Sequence, residues 1–261
     1  MRNQRHGGTF IVSIDLESDV DGRVLMEHRQ LASTCSQLIQ LLSRLGIPAT
    51  WAVADPAQFA ATDEILSTDL PHELGIMGDA SWIGPTAGRT RFARELFRRV
   101  QSARARDLSV STLLLRNTQL QDNLDLLVKQ QVTMVRPCLQ SQTDSIRVGP
   151  VKTLRFGVWQ LPASAVFPHA SRWLPVISSF AIGQGLRRSL ASGQTTHLGI
   201  DAPKLSRLGS RGIQSLERLL RDVVAVGRRQ HIRGKTLTQL ACDLSRQTET
   251  AKSQSILRKA G

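Results

Sequence analysis

The stretch LASTCSQLIQLLSRLGIPATWAV, residues 31–53, passes from one periodicity to another and decides the fold class. Over residues 31–46 the apolar side chains recur at helical spacing, and the pattern stops at Gly46. Residues 47–53 form a short apolar run that is typical of a buried strand. The stretch therefore predicts a helix that leads directly into a strand.

The same alternation continues in both directions along the chain. It predicts strands at 9–15, 108–116, 132–137 and 196–201, helices at 90–106, 123–131 and 212–230, strand material within 151–162, and a short strand or turn before a helix at 234–247. Strands that alternate with helices pair in parallel. We therefore expect an α/β fold, a distorted TIM-like (β/α) barrel of seven or eight strands, closed rather than open. One domain is expected over 9–245, followed by a polar, flexible tail at 246–261.

Composition limits the possible functions. The chain has 261 residues, a formal net charge of +13 and 41% apolar residues, and much of its basic charge lies within 89–106 and 207–235. Arginines alternate with apolar residues there, as on solvated helix faces. Aromatic residues make up only 4% and Tyr is absent, so a base-stacking surface is not expected. The apolar runs are too short to cross a bilayer, and we expect a cytoplasmic protein that does not bind membranes.

Two segments carry candidate chemical groups. SIDLESDVDG (13–22) brings together Asp15, Glu17, Asp19 and Asp21, which suits a divalent cation, a general base or an acidic turn before the next helix. PHELGIMGDASW (71–82) begins like a metal-binding or acid–base loop, but no second histidine follows at a ligand spacing. We interpret it as a loop between elements. The three cysteines are scattered and form no zinc spacing.

Six segments follow one another in a recognisable order: TFIVSIDLE (9–17), LLSRLGIPATWAV (41–53), HELGIMGDASW (72–82), VRP (135–137), VWQLPAS (158–164) and THLGID (196–201). Together they resemble the polysaccharide deacetylase family, also known as the NodB homology domain or carbohydrate esterase family 4. The resemblance covers about residues 9 to 242. It implies a distorted (β/α) barrel that removes acetyl groups from N-acetyl sugars with a divalent metal held by one Asp and two His.

The chain departs from the family pattern at the metal ligands. The resemblance assigns Asp15 to the base, whereas Leu16, Met77 and Ser81 occupy the three ligand positions. Thioether and hydroxyl groups are poor ligands for Zn²⁺ compared with imidazole. The resemblance also aligns Arg136 with the arginine-proline motif and His197 with the late catalytic histidine.

Three hypotheses follow. In the first, the protein lacks the metal-dependent deacetylase activity and binds a carbohydrate, an acidic polymer or a partner. In the second, it is an active hydrolase of C–N bonds, with Asp15 as base, His197 as acid and Arg136 orienting them. In the third, it is a basic nucleic-acid-binding module, which the composition disfavours.

The binding residues expected in the first two hypotheses are His72, Asp79, Trp82 and Asp201. No cofactor is expected. A divalent metal would require a site rebuilt from some of the carboxylates Glu17, Asp19, Asp79 and Asp201. The sequence does not specify the substrate or the oligomeric state.

Overall fold

The structure is a computed structural model that describes residues 8–17, 24–120, 122–139, 150–168, 175–230 and 232–259. Asp19 and Asp21 lie outside the described residues. No helix of the described part is long and apolar enough to span a bilayer.

Within the described residues, ten strands form one mixed sheet. They are β1 (Thr9–Asp15), β2 (Thr50–Val53), β3 (Glu73–Gly78), β4 (Thr112–Leu115), β5 (Met134–Arg136), β6 (Lys152–Thr153), β7 (Trp159–Gln160), β8 (Ala165–Phe167), β9 (Thr196–Asp201) and β10 (Arg233–Lys235). The order is β6-β7-β5-β4-β3-β2-β1-β9-β8, and β10 pairs with β1. Every pair is parallel except β6 with β7.

In the same part of the chain, seven α-helices connect or cover these strands. They are α1 (Val24–Leu45), α2 (Thr62–Leu66), α3 (Gly88–Arg104), α4 (Leu124–Lys129), α5 (Pro175–Ala191), α6 (Ala202–Gln230) and α7 (Leu237–Lys259). The tail predicted to begin at residue 246 continues α7 as far as Lys259.

The sheet curls into a distorted barrel, which confirms the predicted fold class. It has ten strands rather than seven or eight because β6 and β10 are too short to show a period in the sequence. The expected full closure is wrong for the described residues, since the sheet path runs from β6 to β8 without a pair joining its ends. Leu161–Ser164 crosses this seam instead. Leu161 donates its N–H to Val135 on one side, and Ser164 donates to His197 on the other. Pro162 between them has no N–H to continue a ladder.

Three apolar clusters hold the barrel together. One lies between the sheet and helices α1, α5 and α6, and a second lies between β3–β5 and helices α3 and α4. The third fills the barrel interior, where Met77 and Leu114 pack with Leu237 and Leu240 from α7. The side chains of β1 alternate between these layers, so that Ile11 lies in the interior and Ile14 on the outside.

Helix α7 covers the amino-terminal end of the barrel. Thr236 is its cap, because Gln239 donates its N–H to Thr236 Oγ1 while Thr236 donates its own N–H to Gln239 Oε1. This reciprocal pair is a capping box. Just beyond the cap, Thr238 donates its N–H to both carboxylate oxygens of Glu73 at 3.2 Å, which fixes the start of α7 to β3.

The sequence predicted a loop over PHELGIMGDASW, and this prediction is wrong. The segment forms mainly the strand β3. Residues 74–78 are buried on both faces, so no alternation of polar and apolar side chains marks them as a strand. Gly75 is required by the neighbouring strand, since a Cβ there would lie 2.4 Å from Leu114 and 2.5 Å from Thr112. Only the residues from Asp79 onward form a turn.

Candidate functional site

Asp15 and Arg136 form an ion pair inside the barrel, toward the carboxyl ends of the strands. Asp15 ends β1 and Arg136 ends β5. The two guanidinium nitrogens Nη1 and Nη2 lie 2.8 Å from Asp15 Oδ1 and 3.0 Å from Oδ2. Arg136 Nη2 also donates to the carbonyl oxygen of Leu115 at 3.3 Å. A planar guanidinium suits such paired contacts, so β5 is tied to β1 across the interior.

A hydrogen-bonded chain continues from Arg136 to His197 through Ser13. Arg136 Nη1 lies 3.5 Å from Ser13 Oγ, and Ser13 Oγ lies 2.8 Å from His197 Nε2. His197 Nδ1 lies 3.2 Å from the carbonyl oxygen of Pro162, an atom that can only accept. Nδ1 is therefore the protonated ring nitrogen, and Nε2 accepts the hydroxyl proton of Ser13.

Burial and charge set the protonation states in this chain. Burial, reinforced by the nearby charge of Arg136, lowers the pKa of His197 to about 3. The imidazole is therefore neutral at physiological pH. Burial raises the pKa of Asp15 from its ordinary value, against the opposing effect of Arg136.

The whole network is enclosed. Ser13, Arg136 and His197 are 0% exposed, and Asp15 is 7% exposed. Leu139 contributes to this enclosure, since a Cβ on Gly199 would lie 2.4 Å from one of its methyl groups. Gly199 is the register partner of Ser13. The absence of a side chain on Gly199 thus lets Leu139 lie against β9 beside the network.

The three positions that the resemblance aligns with metal ligands face three different environments. Leu16 is buried in the outer apolar cluster between sheet and helices, on the opposite side of the strand from Asp15. Met77 is buried in the barrel interior, and Ser81 is exposed in the turn after β3. Within the described residues, no group of three or more His, Cys, Asp or Glu could hold a metal ion. The residues present at these positions do not fit the family's metal.

Three carboxylates lie around the rim of this end. Asp201 is the register partner of Asp15, and its negative charge contributes to the raised pKa of Asp15. The negative charge of Asp79 contributes in the same way to the raised pKa of Glu17. Burial is the main cause of the raised pKa of Glu17, although the Ala54 N–H donates to this carboxylate. Asp79 Oδ1 accepts from the N–H of Ser81 at 2.7 Å, which stabilises the turn.

Asp201 caps helix α6. Its Oδ1 accepts from the Lys204 N–H at 3.0 Å, and its Oδ2 lies 2.7 Å from Lys204 Nζ. This is the usual role of an aspartate at the first turn of a helix. Asp79 and Asp201 both remain partly exposed.

His72 lies at the opposite end of the barrel, and Trp82 is buried in the apolar cluster between β3–β5 and helices α3 and α4. His72 precedes β3 at the amino-terminal end, where its Nδ1 accepts from Ala49 at 3.0 Å and its ring meets the edge of Trp51. Burial lowers the pKa of His72. Trp82 is 1% exposed, and it is stacked on Phe92 under the guanidinium of Arg99. Neither ring is offered to a ligand in this arrangement.

The structure thus brings Asp15, Arg136 and His197 together, and Ser13 joins them. Sequence reasoning missed Ser13. Its signal was present, because Ser13 interrupts the apolar run FIVSID on the same face as Asp15. The pattern alone could have singled out Ser13, which lies two positions before the acid at the end of the strand. It could not have indicated its partner His197, which lies 184 residues away in the sequence.

Comparisons with known proteins support the fold. No family model matches the chain, and no curated protein matches it. Among solved structures, it is similar to a predicted polysaccharide deacetylase from Mycobacterium smegmatis, with a TM-score of 0.67, 13% identity and coverage of 95% of this chain and 93% of that chain. It is also similar to a predicted polysaccharide deacetylase involved in O-antigen biosynthesis from Bordetella bronchiseptica, with a TM-score of 0.52, 13% identity and coverage of 92% and 90%.

The chain therefore has a polysaccharide-deacetylase-like fold. At 13% identity these likenesses concern the fold and carry no residue roles.

Proposed function

We propose that the protein binds a carbohydrate at the carboxyl ends of its strands without the metal-dependent hydrolysis of N-acetyl groups. The observation that carries this proposal is the buried ion pair between Asp15 and Arg136. A general base must reach the water that it activates. Both oxygens of Asp15 instead face a guanidinium, inside a network that is closed to solvent.

The neighbouring positions support the same conclusion. Metal-assisted hydrolysis needs a cation that acidifies water and polarises the carbonyl group. Leu16 and Met77 are buried in apolar clusters, and neither offers an oxygen or an imidazole nitrogen. An Asp at position 16 would point into the helix–sheet core rather than toward Asp15.

The alternative of an active hydrolase with His197 as acid has little support. A general acid must carry a proton that it can donate near neutral pH. The pKa of His197 is lowered to about 3, and its Nε2 already accepts from Ser13. The Nδ1 proton is directed at a backbone carbonyl oxygen.

The rim carboxylates are the groups that would meet a carbohydrate. Asp79 and Asp201 are partly exposed at the end where ligands of such barrels gather. Carboxylate oxygens accept hydrogen bonds from sugar hydroxyls. A hydrogen bond with one charged partner is stronger than one between two neutral groups. The fold likeness to predicted polysaccharide deacetylases makes a carbohydrate the first ligand class to test.

Two measurements on the purified chain test the proposal. The first is acetate release from chitooligosaccharides with added Zn²⁺, Mn²⁺ or Co²⁺, for which we expect no turnover. The second is calorimetric titration of the same oligosaccharides in the presence of a chelator, for which we expect binding.

Asp79→Ala and Asp201→Ala should weaken this binding by about tenfold each. Asp69→Ala is the matched control, since Asp69 is exposed on the β2–β3 connection before β3. Metal-dependent turnover that Asp15→Asn abolishes would overturn the loss of hydrolysis. Binding that is absent, or equally strong in both rim variants, would overturn the carbohydrate site.

A further inference from the structure

A second site is suggested by a groove on the outside of the barrel, between helices α5 and α6. The groove has a volume of about 390 Å³. Its lining side chains are Phe180 and Gly183 from α5 and six residues of α6: Arg211, Gln214, Ser215, Arg218, Leu219 and Asp222. This inference does not rest on the proposed function, because the groove is lined by helices and not by strand ends.

Two arginines give the groove its charge. Arg211 and Arg218 are two helical turns apart, about 10 Å along the axis, and therefore share one face of α6. Both are exposed, and neither has an ion-pair or hydrogen-bond partner within the described part of the chain. On the same helix, Arg221 is paired with Glu217 at 2.6 Å. Two unpaired guanidinium groups on one groove favour an anionic ligand.

The remaining lining defines the other parts of that ligand. Phe180 is 61% exposed, and its ring gains by covering apolar surface such as the C–H face of a sugar ring. Gln214 and Ser215 lie between the arginines on α6 and can donate to and accept from hydroxyl groups. Gly183 leaves space at the bottom of the groove, since a Cβ there would meet nothing within 4 Å.

We infer that this groove binds a short acidic oligosaccharide, whose carboxylates contact Arg211 and Arg218 while one sugar ring covers Phe180. Nucleic acid fits less well. Binding of a single strand uses several stacking rings along a continuous positive track, whereas the described lining of this groove offers one ring. Asp222 stands one turn beyond Arg218 and can accept a hydrogen bond from a sugar hydroxyl.

The test is a binding titration with fluorescently labelled trigalacturonate, followed by anisotropy at low salt. Neutral chitotriose and a short oligothymidylate serve as comparison probes. We expect the wild-type chain to bind trigalacturonate more tightly than oligothymidylate, and we expect chitotriose binding to be independent of Arg211 and Arg218. The double variant Arg211→Gln/Arg218→Gln should lose at least about tenfold in affinity.

Matched variants make the result specific. Arg228→Gln/Arg229→Gln removes the same charge from exposed positions near the end of α6, outside the groove lining, and should change affinity less than about twofold. Gly183→Leu extends a side chain from α5 into the groove and should also weaken binding, while circular dichroism checks that the fold is intact.

Three outcomes would overturn the inference. Arg211→Gln/Arg218→Gln could weaken chitotriose binding as much as trigalacturonate binding, which would show that the groove does not select a charged ligand. Both arginine pairs could cause the same loss of trigalacturonate affinity, which would indicate general charge attraction. Oligothymidylate could bind more tightly and depend on Arg211 and Arg218, which would make the groove a nucleic-acid site. Chitooligosaccharide binding at Asp79 and Asp201 does not involve Arg211 or Arg218, so the two proposals fail separately.

Discussion

The barrel has an acid at each of its two ends, Asp15 buried and Glu73 half-buried, and it holds them in different ways. Asp15 at the carboxyl-terminal end faces the guanidinium of Arg136. Glu73 at the amino-terminal end faces neutral donors: its Oε1 accepts from Thr50 Oγ1 at 2.6 Å, and both its oxygens accept from the Thr238 N–H. One acid is held by a full charge, and the other by hydroxyl and backbone dipoles.

The two acids support the fold in different ways. Glu73 fixes the start of α7 to β3. Asp15 and Arg136 join β1 to β5, and Arg136 also reaches β4 through the Leu115 carbonyl oxygen. A buried ion pair is often no more stable than an apolar replacement of similar size, but removing one partner leaves an uncompensated buried charge. The two ends should therefore respond differently to the loss of one partner.

The largest expected effect comes from removing the cation of the carboxyl-terminal pair. Arg136→Met leaves Asp15 buried with no opposite charge, and we expect a loss of about 3–5 kcal/mol in the free energy of unfolding. Urea denaturation measures it. Adding Asp15→Leu to Arg136→Met removes the stranded charge and should recover most of the loss. A single variant that costs less than about 1 kcal/mol would show that the pair is not closed to water.

The second effect is a pH dependence caused by His197. The folded-state pKa of about 3 lies below the unfolded value of about 6.5, so the unfolded chain takes up a proton first. Stability is therefore lost as pH falls below about 6.5, by roughly 1 kcal/mol per pH unit down to about pH 4.

The control for this prediction is His197→Asn, which keeps an amide donor for the Pro162 carbonyl. The difference in unfolding free energy between wild type and variant should be flat above pH 7 and should change in favour of the variant below pH 6. The raised pKa values of Asp15 and Glu73 act in the opposite direction, but both acids are present in both proteins. A flat difference at all pH values would mean that His197 titrates normally.

A smaller effect is expected at the amino-terminal end. Glu73→Gln keeps one acceptor oxygen but turns an NH₂ group toward donors, so we expect a cost of about 1–2 kcal/mol. Hydrogen exchange should show the loss mainly as faster exchange in the first turns of α7. Asp243→Asn is the control, because it breaks only the half-exposed ion pair with Lys235 and should cost less than about 1 kcal/mol.

The smallest effect concerns the cap of α7. Thr236→Ala removes the hydroxyl acceptor of the capping box and should cost about 1 kcal/mol, measured by thermal unfolding. We expect Glu73→Gln and Thr236→Ala together to lower the free energy of unfolding by less than Arg136→Met alone. Equal losses would mean that the two ends of the barrel hold their acids equally strongly.

The sequence carried enough information for the fold class. Gly46 ends α1 and leads into β2 as predicted, and the alternation of strand and helix places both β1 and β9 correctly. The sequence pattern did not predict β3, because burial on both faces removes the alternation that marks a strand. It also did not predict the seam between the ends of the sheet, because a break in strand pairing depends on which strands become neighbours and not on the local pattern.

The candidate site was predictable only in part. Asp15, Arg136 and His197 were singled out by their place at strand ends and by family resemblance, and the structure brings them together. Their contacts could not be predicted, since three strands far apart in sequence must first align in register. His72 and Glu73 were misplaced for a related reason. A histidine next to an acid looks the same at either end of a strand, and only the chain direction decides which end of the barrel receives it.

One feature of the sheet bears on the order in which the protein is made. β1 pairs with β2 through Ser13–Asp15, but Thr9–Ile11 pair with Arg233–Lys235 of β10 near the other end of the sequence. On the ribosome, the first half of β1 must wait for nearly the whole chain to emerge before it meets this partner. Contacts of such long sequence separation slow folding. The nascent protein therefore exposes this edge of β1 until β10 has been made, a period in which a chaperone has access to it.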